Sequence, residues 1–171
     1  MTKELKIFSL GCHDSIKFIQ ESNKALPIKN RIRFCDLRSL GSLGEGQEFY
    51  SFLCDGDKII GVAHVGYYSI NAKNEKNWSI SYLSIDKNFR NKGYSKLLVD
   101  EVFRNAKILN LEISTSSYTF LGKKYLQKNF NDSAKKHEVV FYDKPDDWYL
   151  IDAESHYLLQ ENGVYFHKDE L

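Results

Sequence analysis

The stretch from Trp78 to Leu109 changes its hydrophobic period once, and that change constrains the fold more than any other feature of the chain. From Trp78 to Ile85 side chains alternate, which places Ile80, Tyr82 and Ser84 on one face of a strand and Ser81, Leu83 and Ile85 on the other. From Tyr94 to Leu109 the apolar residues Leu97, Leu98, Val102 and Ile108 recur at helical spacing, leaving Lys96, Asp100, Glu101 and Arg104 for solvent. Between the two lies Arg90-Asn91-Lys92-Gly93-Tyr94-Ser95. A strand must therefore feed a helix through one Gly-bearing loop.

The patterns around this unit complete a mixed α/β layer about one sheet. Leu5 to Leu10 reads as a first strand, with Asp14 as a cap for a short helix carrying Ile16, Phe18 and Ile19. Arg31 to Cys35 reads as a short strand or a helix end, and Arg38 to Glu48 as a Gly- and Ser-rich loop. Gln47 to Cys54 and Lys58 to Tyr68 form strands joined by Asp55-Gly56-Asp57, whose Asp-Gly step favours a tight antiparallel turn. Residues 71–77 are a polar loop. Leu111 to Ser114 is expected as a strand, Tyr118 to Asn129 as a helix and His137 to Tyr142 as a strand. Tyr157 to Phe166, broken by Asn162-Gly163, reads as a terminal hairpin. At 171 residues, the span 1–171 is expected to form one domain.

Composition narrows function by exclusion. Lys plus Arg number 24 against 23 for Asp plus Glu, so there is no whole-molecule attraction to polyphosphate or anionic lipid. Nucleic acid and membrane are not expected partners. Cys12, Cys35 and Cys54 form an odd set without Cys-x-x-Cys spacing, which argues against a disulfide framework and a thiolate metal site. His13 adjoins Cys12, but sequence neighbours do not readily aim at one ion, so no metal is expected. No stretch approaches the roughly eighteen apolar residues of a membrane span, and MTKELKIFSL lacks a signal-peptide core. A soluble, cytoplasmic protein is expected. The terminal Lys168-Asp169-Glu170-Leu171 spells an ER-retention address, which acts only on a chain already delivered to that compartment; it reads here as a charged tail.

The Arg90–Ser95 loop has the composition of a diphosphate cradle. Amides opening a helix lack internal partners and carry partial positive charge. Gly93 permits close backbone approach, Arg90 and Lys92 add charge, Asn91 and Tyr94 offer further backbone amides, and Ser95 is small. The loop is neither a Gly-x-x-x-x-Gly-Lys-Ser/Thr nucleotide loop nor a three-glycine dinucleotide fingerprint.

Read as Arg90-x-x-Gly93-x-Ser95, the loop resembles the Arg/Gln-x-x-Gly-x-Gly/Ala motif of the GNAT superfamily of acetyl-CoA-dependent N-acyltransferases, with Ser95 departing at the last position. Tyr82-Leu83-Ser84-Ile85-Asp86 looks like that family's fourth strand. Lys124-Tyr125-Leu126-Gln127-Lys128-Asn129-Phe130 is similar to its aromatic-Tyr-x-x-x-Gly-Phe helix end, with Lys124 and Asn129 departing. The resemblance extends from about Gln47 to Phe130. It implies a mostly antiparallel sheet flanked by helices, with strands 4 and 5 splayed apart and the pantetheine arm of acetyl-CoA lying in the gap. Leu83, Ser84 and Ile85 would supply backbone groups to that arm, and residues 90–95 would hold the diphosphate.

The same resemblance makes Tyr125 the candidate general acid toward the departing sulfur, although a helix tyrosine is more often packed in a core. An alkyl ammonium titrates near 10, so a base, a water relay or a low-pKa acceptor must supply the free amine. Ser79 and Ser81 stand where some family members carry a base carboxylate. Glu112 and His64 are alternatives, each more often an ordinary surface or hydrogen-bonded residue. Tyr118 stands where the family frequently carries an Asn that makes a polar coenzyme contact, a departure from its pattern. Gly122 lies inside the expected helix at a cost of about 1 kcal/mol against Ala, unless that helix starts late, with Ser116 or Ser117 as its cap.

The function implied is an acetyl-CoA-dependent N-acetyltransferase acting on a primary amine of a small molecule, peptide or protein. A non-catalytic module of the same fold, binding coenzyme A or a protein partner, is the alternative. Near-zero net charge gives no support to aminoacyl-tRNA as acceptor. The acceptor pocket would draw on the first helix, residues 71–77 and the C-terminal segment, where Trp148, Tyr149, Tyr157, Tyr165 and Phe166 could line it or instead pack a core or a homodimer.

Overall fold

The computed structural model describes residues 4–27, 48–70, 76–115, 120–143, 157–159 and 165–167. The expectations for 31–35, for 38–47, for the loop at 71–75, for Ser116, Ser117 and Tyr118, for Trp148 and Tyr149, for Asn162-Gly163 and for the final four residues lie outside them.

Among the described residues six strands form one sheet in the order of the chain: β1 (Leu5–Gly11), β2 (Phe49–Asp55), β3 (Lys58–Ile70), β4 (Lys76–Ile85), β5 (Ile113–Thr115) and β6 (Phe141–Tyr142). The first three pairings are antiparallel and the last two parallel, because α2 (Tyr94–Ile108) and α3 (Phe120–His137) make the crossovers. The β2–β3 hairpin turns at Gly56, whose φ of 61° is the left-handed region that Gly enters without strain. A separate pair, β7 (Tyr157–Leu159) and β8 (Tyr165–His167), is the terminal hairpin.

The two faces of the sheet have separate cores. On one, α2 and α3 bury Leu98, Val99, Val102, Phe103, Ala106 and Phe130 against Phe49, Leu53, Val65, Ile80 and Ile85. Phe103, Phe130 and Phe141 close that core edge to face, with Phe141 centred 5.3 Å from Phe103 and 5.9 Å from Phe130. On the other face α1 (Cys12–Lys24) lays Ile16, Phe18 and Ile19 over Tyr50, Phe52, Ile59 and Val62. Burying a side chain of this size contributes about 1.5–3 kcal/mol, so both faces are strongly specified.

Several expectations change. Asp14 is not the cap of α1: Gly11 holds that position, and Asp14 lies in the first turn, where a negative charge still favours the helix dipole. Ser15 Oγ donates to Leu10 O at 2.9 Å and ties the helix to β1. In α2 the buried stripe is Leu98-Val99-Val102-Phe103-Ala106, which leaves Leu97 and Ile108 exposed and turns Glu101 inward. Ser9 Oγ donates to Glu101 at 2.8 Å, and Arg104 grips the same carboxylate through two bonds of 2.7 Å, which satisfies the buried charge.

The expected Tyr118–Asn129 helix is described from Phe120 onward and runs past Asn129 to His137. Its end is a left-handed residue, Glu138 with φ 55°, after which Val139 N–H returns to Ala134 O at 2.9 Å. Residues 137–139, expected in a strand, therefore serve the helix end and its turn, while Val140 O accepts from Ile113 N–H at 3.0 Å and leads into Phe141 and Tyr142 as β6.

Candidate functional site

The alternation expected along β4 is broken once. His64 pairs with Tyr82 and Val65 with Ile80, so Ser81 is one residue too many on its strand. This bulge rotates the remainder of the strand, and Ile80, Leu83 and Ile85 come to share the α2 face, whereas Ser84 faces the α1 side opposite Val62. Ile80 thus parts from Ser84, contrary to the simple alternation.

The bulge coincides with the parting of the sheet. β5 pairs with β4 only over Trp78, Ser79 and Ile80, so the segment from Ser81 to Ile85 runs past its last partner on β5 among the described residues. Asp86 N–H donates to Ile60 O at 2.8 Å. Antiparallel alternation then turns Ser84's backbone groups toward β3 and those of Leu83 and Ile85 toward the open side.

The chain leaves this edge through a short 3₁₀ turn, Lys87–Phe89, built on Asp86. That carboxylate, 1% exposed, accepts from Asn88 N–H at 2.9 Å and lies 3.2 Å from Lys58 Nζ. Neither Asp86 nor Lys58 stands out as a site residue in the sequence; the available signal is an Asp ending a strand two residues before Asn, the pattern of an Asx turn. Two ammonium groups lie over the Phe89 ring, Lys58 Nζ at 5.2 Å and Lys92 Nζ at 5.3 Å from its centre.

Arg90 is half-buried, and its Nε–H donates to Ile85 O at 2.8 Å, which ties the loop back to the open edge of β4. Asn91 and Gly93 both adopt positive φ, 60° and 77°. Asn91, Lys92 and Gly93 are exposed, whereas Tyr94 and Ser95 are half-buried in the first turn of α2. Lys96 N–H bonds Gly93 O at 3.1 Å, so the amides of Gly93, Tyr94 and Ser95 precede the helix's own ladder. No side chain caps this end. The structure thus brings Leu83, Ile85 and residues 90–95 together at one end of β4.

Tyr125 lies on α3, 58% exposed, with Lys124 Nζ 5.1 Å from its ring centre. Glu112 is exposed and accepts from Tyr142 OH at 3.1 Å. His64 and Ser79 are buried on the α1 side of the sheet. Gly122 lies within α3. Among the described residues there is no group of three or more His, Cys, Asp or Glu that could hold a metal ion, and no helix long and apolar enough to cross a membrane.

Comparison with known proteins gives a family. No curated protein matches the chain. Solved structures similar to it include a predicted acetyltransferase with acetyl-CoA from Clostridium acetobutylicum (15% identity, TM-score 0.48, 90% of this chain and 99% of that one). Glucosamine-6-phosphate N-acetyltransferase from Arabidopsis thaliana is similar at 18% identity and TM-score 0.47, over 74% of this chain and 90% of that one. An aminoglycoside acetyltransferase from an uncultured soil metagenomic sample is similar at 15% identity and TM-score 0.48, over 75% and 86%. The family model described as Acetyltransferase (GNAT) family matches residues 15–120, which include the bulged strand, the loop and α2 and stop short of Tyr125. With more than half of its length under that match, the chain belongs to the GNAT family of acetyltransferases.

Proposed function

We propose that this chain transfers an acetyl group from acetyl-CoA to a primary amine. The observation that carries the reading is one juxtaposition: a strand edge whose Leu83 and Ile85 backbone groups face the open side, beside a helix start at Gly93 with three amides ahead of its ladder. An extended, amide-bearing arm suits the first, and a diphosphate suits the second.

Acetyl-CoA supplies an activated acyl thioester. Arg90, Asn91, Lys92, Gly93, Tyr94 and Ser95 hold its diphosphate end, with charge from Lys92 and Arg90. Leu83 and the Ile85 N–H bond the arm; Ile85 O is already engaged by Arg90, and Ser84 keeps the strand in register with β3. Donors fixed in the backbone need no reorganisation as charge develops on an acyl oxygen, which is where such an edge gains its value. Tyr125 donates its phenol proton to the departing sulfur.

The test is calorimetric titration of the full chain with acetyl-CoA and with coenzyme A, followed by a screen of primary amines and peptides for thiol release. Saturable binding with turnover is expected, and Tyr125→Phe should keep the binding while losing most of the turnover. Absence of heat with either carrier refutes the coenzyme assignment. Unchanged turnover in Tyr125→Phe removes that residue from the chemistry.

A further inference from the structure

Asp86 stands at the seam between β4 and the loop that opens α2, and three parts of the chain converge on it. Behind it, its own N–H donates to Ile60 O at 2.8 Å, which continues the β3–β4 ladder one step past the Gly61–Ile85 pair. Ahead of it, Asn88 N–H donates to Oδ1 at 2.9 Å and Phe89 N–H donates to Asp86 O at 2.9 Å; together these make the 3₁₀ turn. Beside it, Lys58 Nζ lies 3.2 Å from Oδ2. Lys58 is the first residue of β3, straight after the turn of the β2–β3 hairpin. Oδ2 accepts no hydrogen bond among the described residues, so charge rather than directed bonding holds that oxygen.

Burying a carboxylate is costly unless a cation and hydrogen bonds satisfy it, and a well-packed apolar residue often stabilises a fold as much or more. Asp86 is nonetheless 1% exposed, with its cation partner at 44%. A three-residue 3₁₀ turn has little rigidity of its own. Yet the turn at Lys87–Phe89 decides how the chain arrives at Asn91 and Gly93, both with positive φ, and at the amides ahead of the α2 ladder. Lys92 Nζ donates back to Asn88 O at 3.3 Å, which joins the loop to that same turn. Arg90 ties the loop to the strand it leaves, whereas Lys58 ties the turn to a neighbouring hairpin. Resting on the acetyl-transfer reading, we propose that Lys58 is a positioning residue for the coenzyme: through Asp86 it fixes the turn that aims the amides of Gly93, Tyr94 and Ser95 at the diphosphate, without touching the ligand. An ammonium could instead attract the diphosphate directly. Only positioning needs the charge of Asp86.

Calorimetric titration of the full chain with coenzyme A separates the two. Lys58→Met keeps an unbranched side chain beside Phe89 and removes the ammonium, while Asp86→Asn keeps an acceptor for Asn88 N–H and removes the negative charge. The pair lies between an exposed and a buried one, so each single variant should weaken binding about tenfold. The double variant should bind no more weakly than either single, because Lys58 then has no charge left to act on. Lys58→Arg should stay within about threefold of the wild type, since it restores the cation. Losses that multiply to about a hundredfold in the double variant mean direct attraction and overturn the proposal. Wild-type affinity in Lys58→Met overturns it as well. Urea unfolding of the same chains supplies the remaining contrast: lowered stability with unchanged affinity of the folded chain marks a merely structural pair, again against the proposal. Where Asp86→Asn does not fold, the Gly93 amide resonance of ligand-free Lys58→Met decides, because positioning moves it and direct attraction leaves it in place. No heat from the wild type with coenzyme A or acetyl-CoA sinks the coenzyme reading itself, whereas wild-type heat with multiplied losses sinks this inference alone.

Discussion

Gly61 lies on β3 under Leu98 of α2, and Gly61→Ala tests how tightly the open strand edge is held from behind. A Cβ at this position would stand 2.7 Å from Ile85 Cδ1 and 3.3 Å from both Leu53 Cβ and Leu98 Cδ2. Leu53 Cβ is fixed to its backbone, and both leucines are fully buried, so relief must come from Ile85. Overpacking of this kind costs about 1–3 kcal/mol. For a chain of this length that lowers Tm by roughly 3–8 °C. The clash is with one methyl, so the variant Ile85→Val, which deletes it at about 1 kcal/mol on its own, should partly rescue Gly61→Ala. Urea unfolding of the four chains of this cycle gives the coupling, expected at about 1 kcal/mol or more in favour of the pair. Additive losses within about 0.3 kcal/mol would refute the reasoning. Ile85 also borders the proposed pantetheine edge, so the single variant should weaken acetyl-CoA binding and the double variant recover it.

Two further outcomes rest on local features. Gly93 has φ 77° and nothing within 4 Å of where a Cβ would stand, so Gly93→Ala carries a backbone cost of about 1–2 kcal/mol without a packing term, read by urea unfolding; unchanged stability would mean that the left-handed turn is not required. Burial works against the charge of Asp100, but hydrogen bonds from Lys136 and His137, together with their charges, outweigh it and hold the carboxyl below its ordinary value of 3.8. A depressed folded-state pKa gives stability that is present above that ordinary value and lost as pH falls through the lower folded one. Asp100→Asn should therefore unfold more easily than the wild type near neutrality, with the difference vanishing on strong acidification in pH-dependent melting.

How much is legible in the residues alone depends on the range of the interactions involved. The Asp55-Gly56-Asp57 turn and the Tyr94 helix start are local, and both stand where turn chemistry and period place them. The Ser81 bulge is not local. It adds a residue to β4 relative to β3, and nothing in a string of alternating side chains marks it, yet it decides which face Ile80 shares. Glu101 reads as solvated because its partners, Ser9 and Arg104, are respectively distant in sequence and on the neighbouring helical turn. The length of α3 is hidden because its stop is Glu138, a residue that seldom takes a left-handed conformation. Lys58 gives no local signal, since its meeting with Asp86 exists only across paired strands.

The bond from Arg90 Nε to Ile85 O has a mechanical consequence. It closes a small ring of chain through the Asp86 turn, so that the tip of the fourth strand and the entrance to the second helix shift as one body. On the coenzyme reading proposed above, a ligand gripped at its charged end would report to its far end without any hinge in between, trading adaptability in the carrier for accuracy in where the acyl carbon comes to rest.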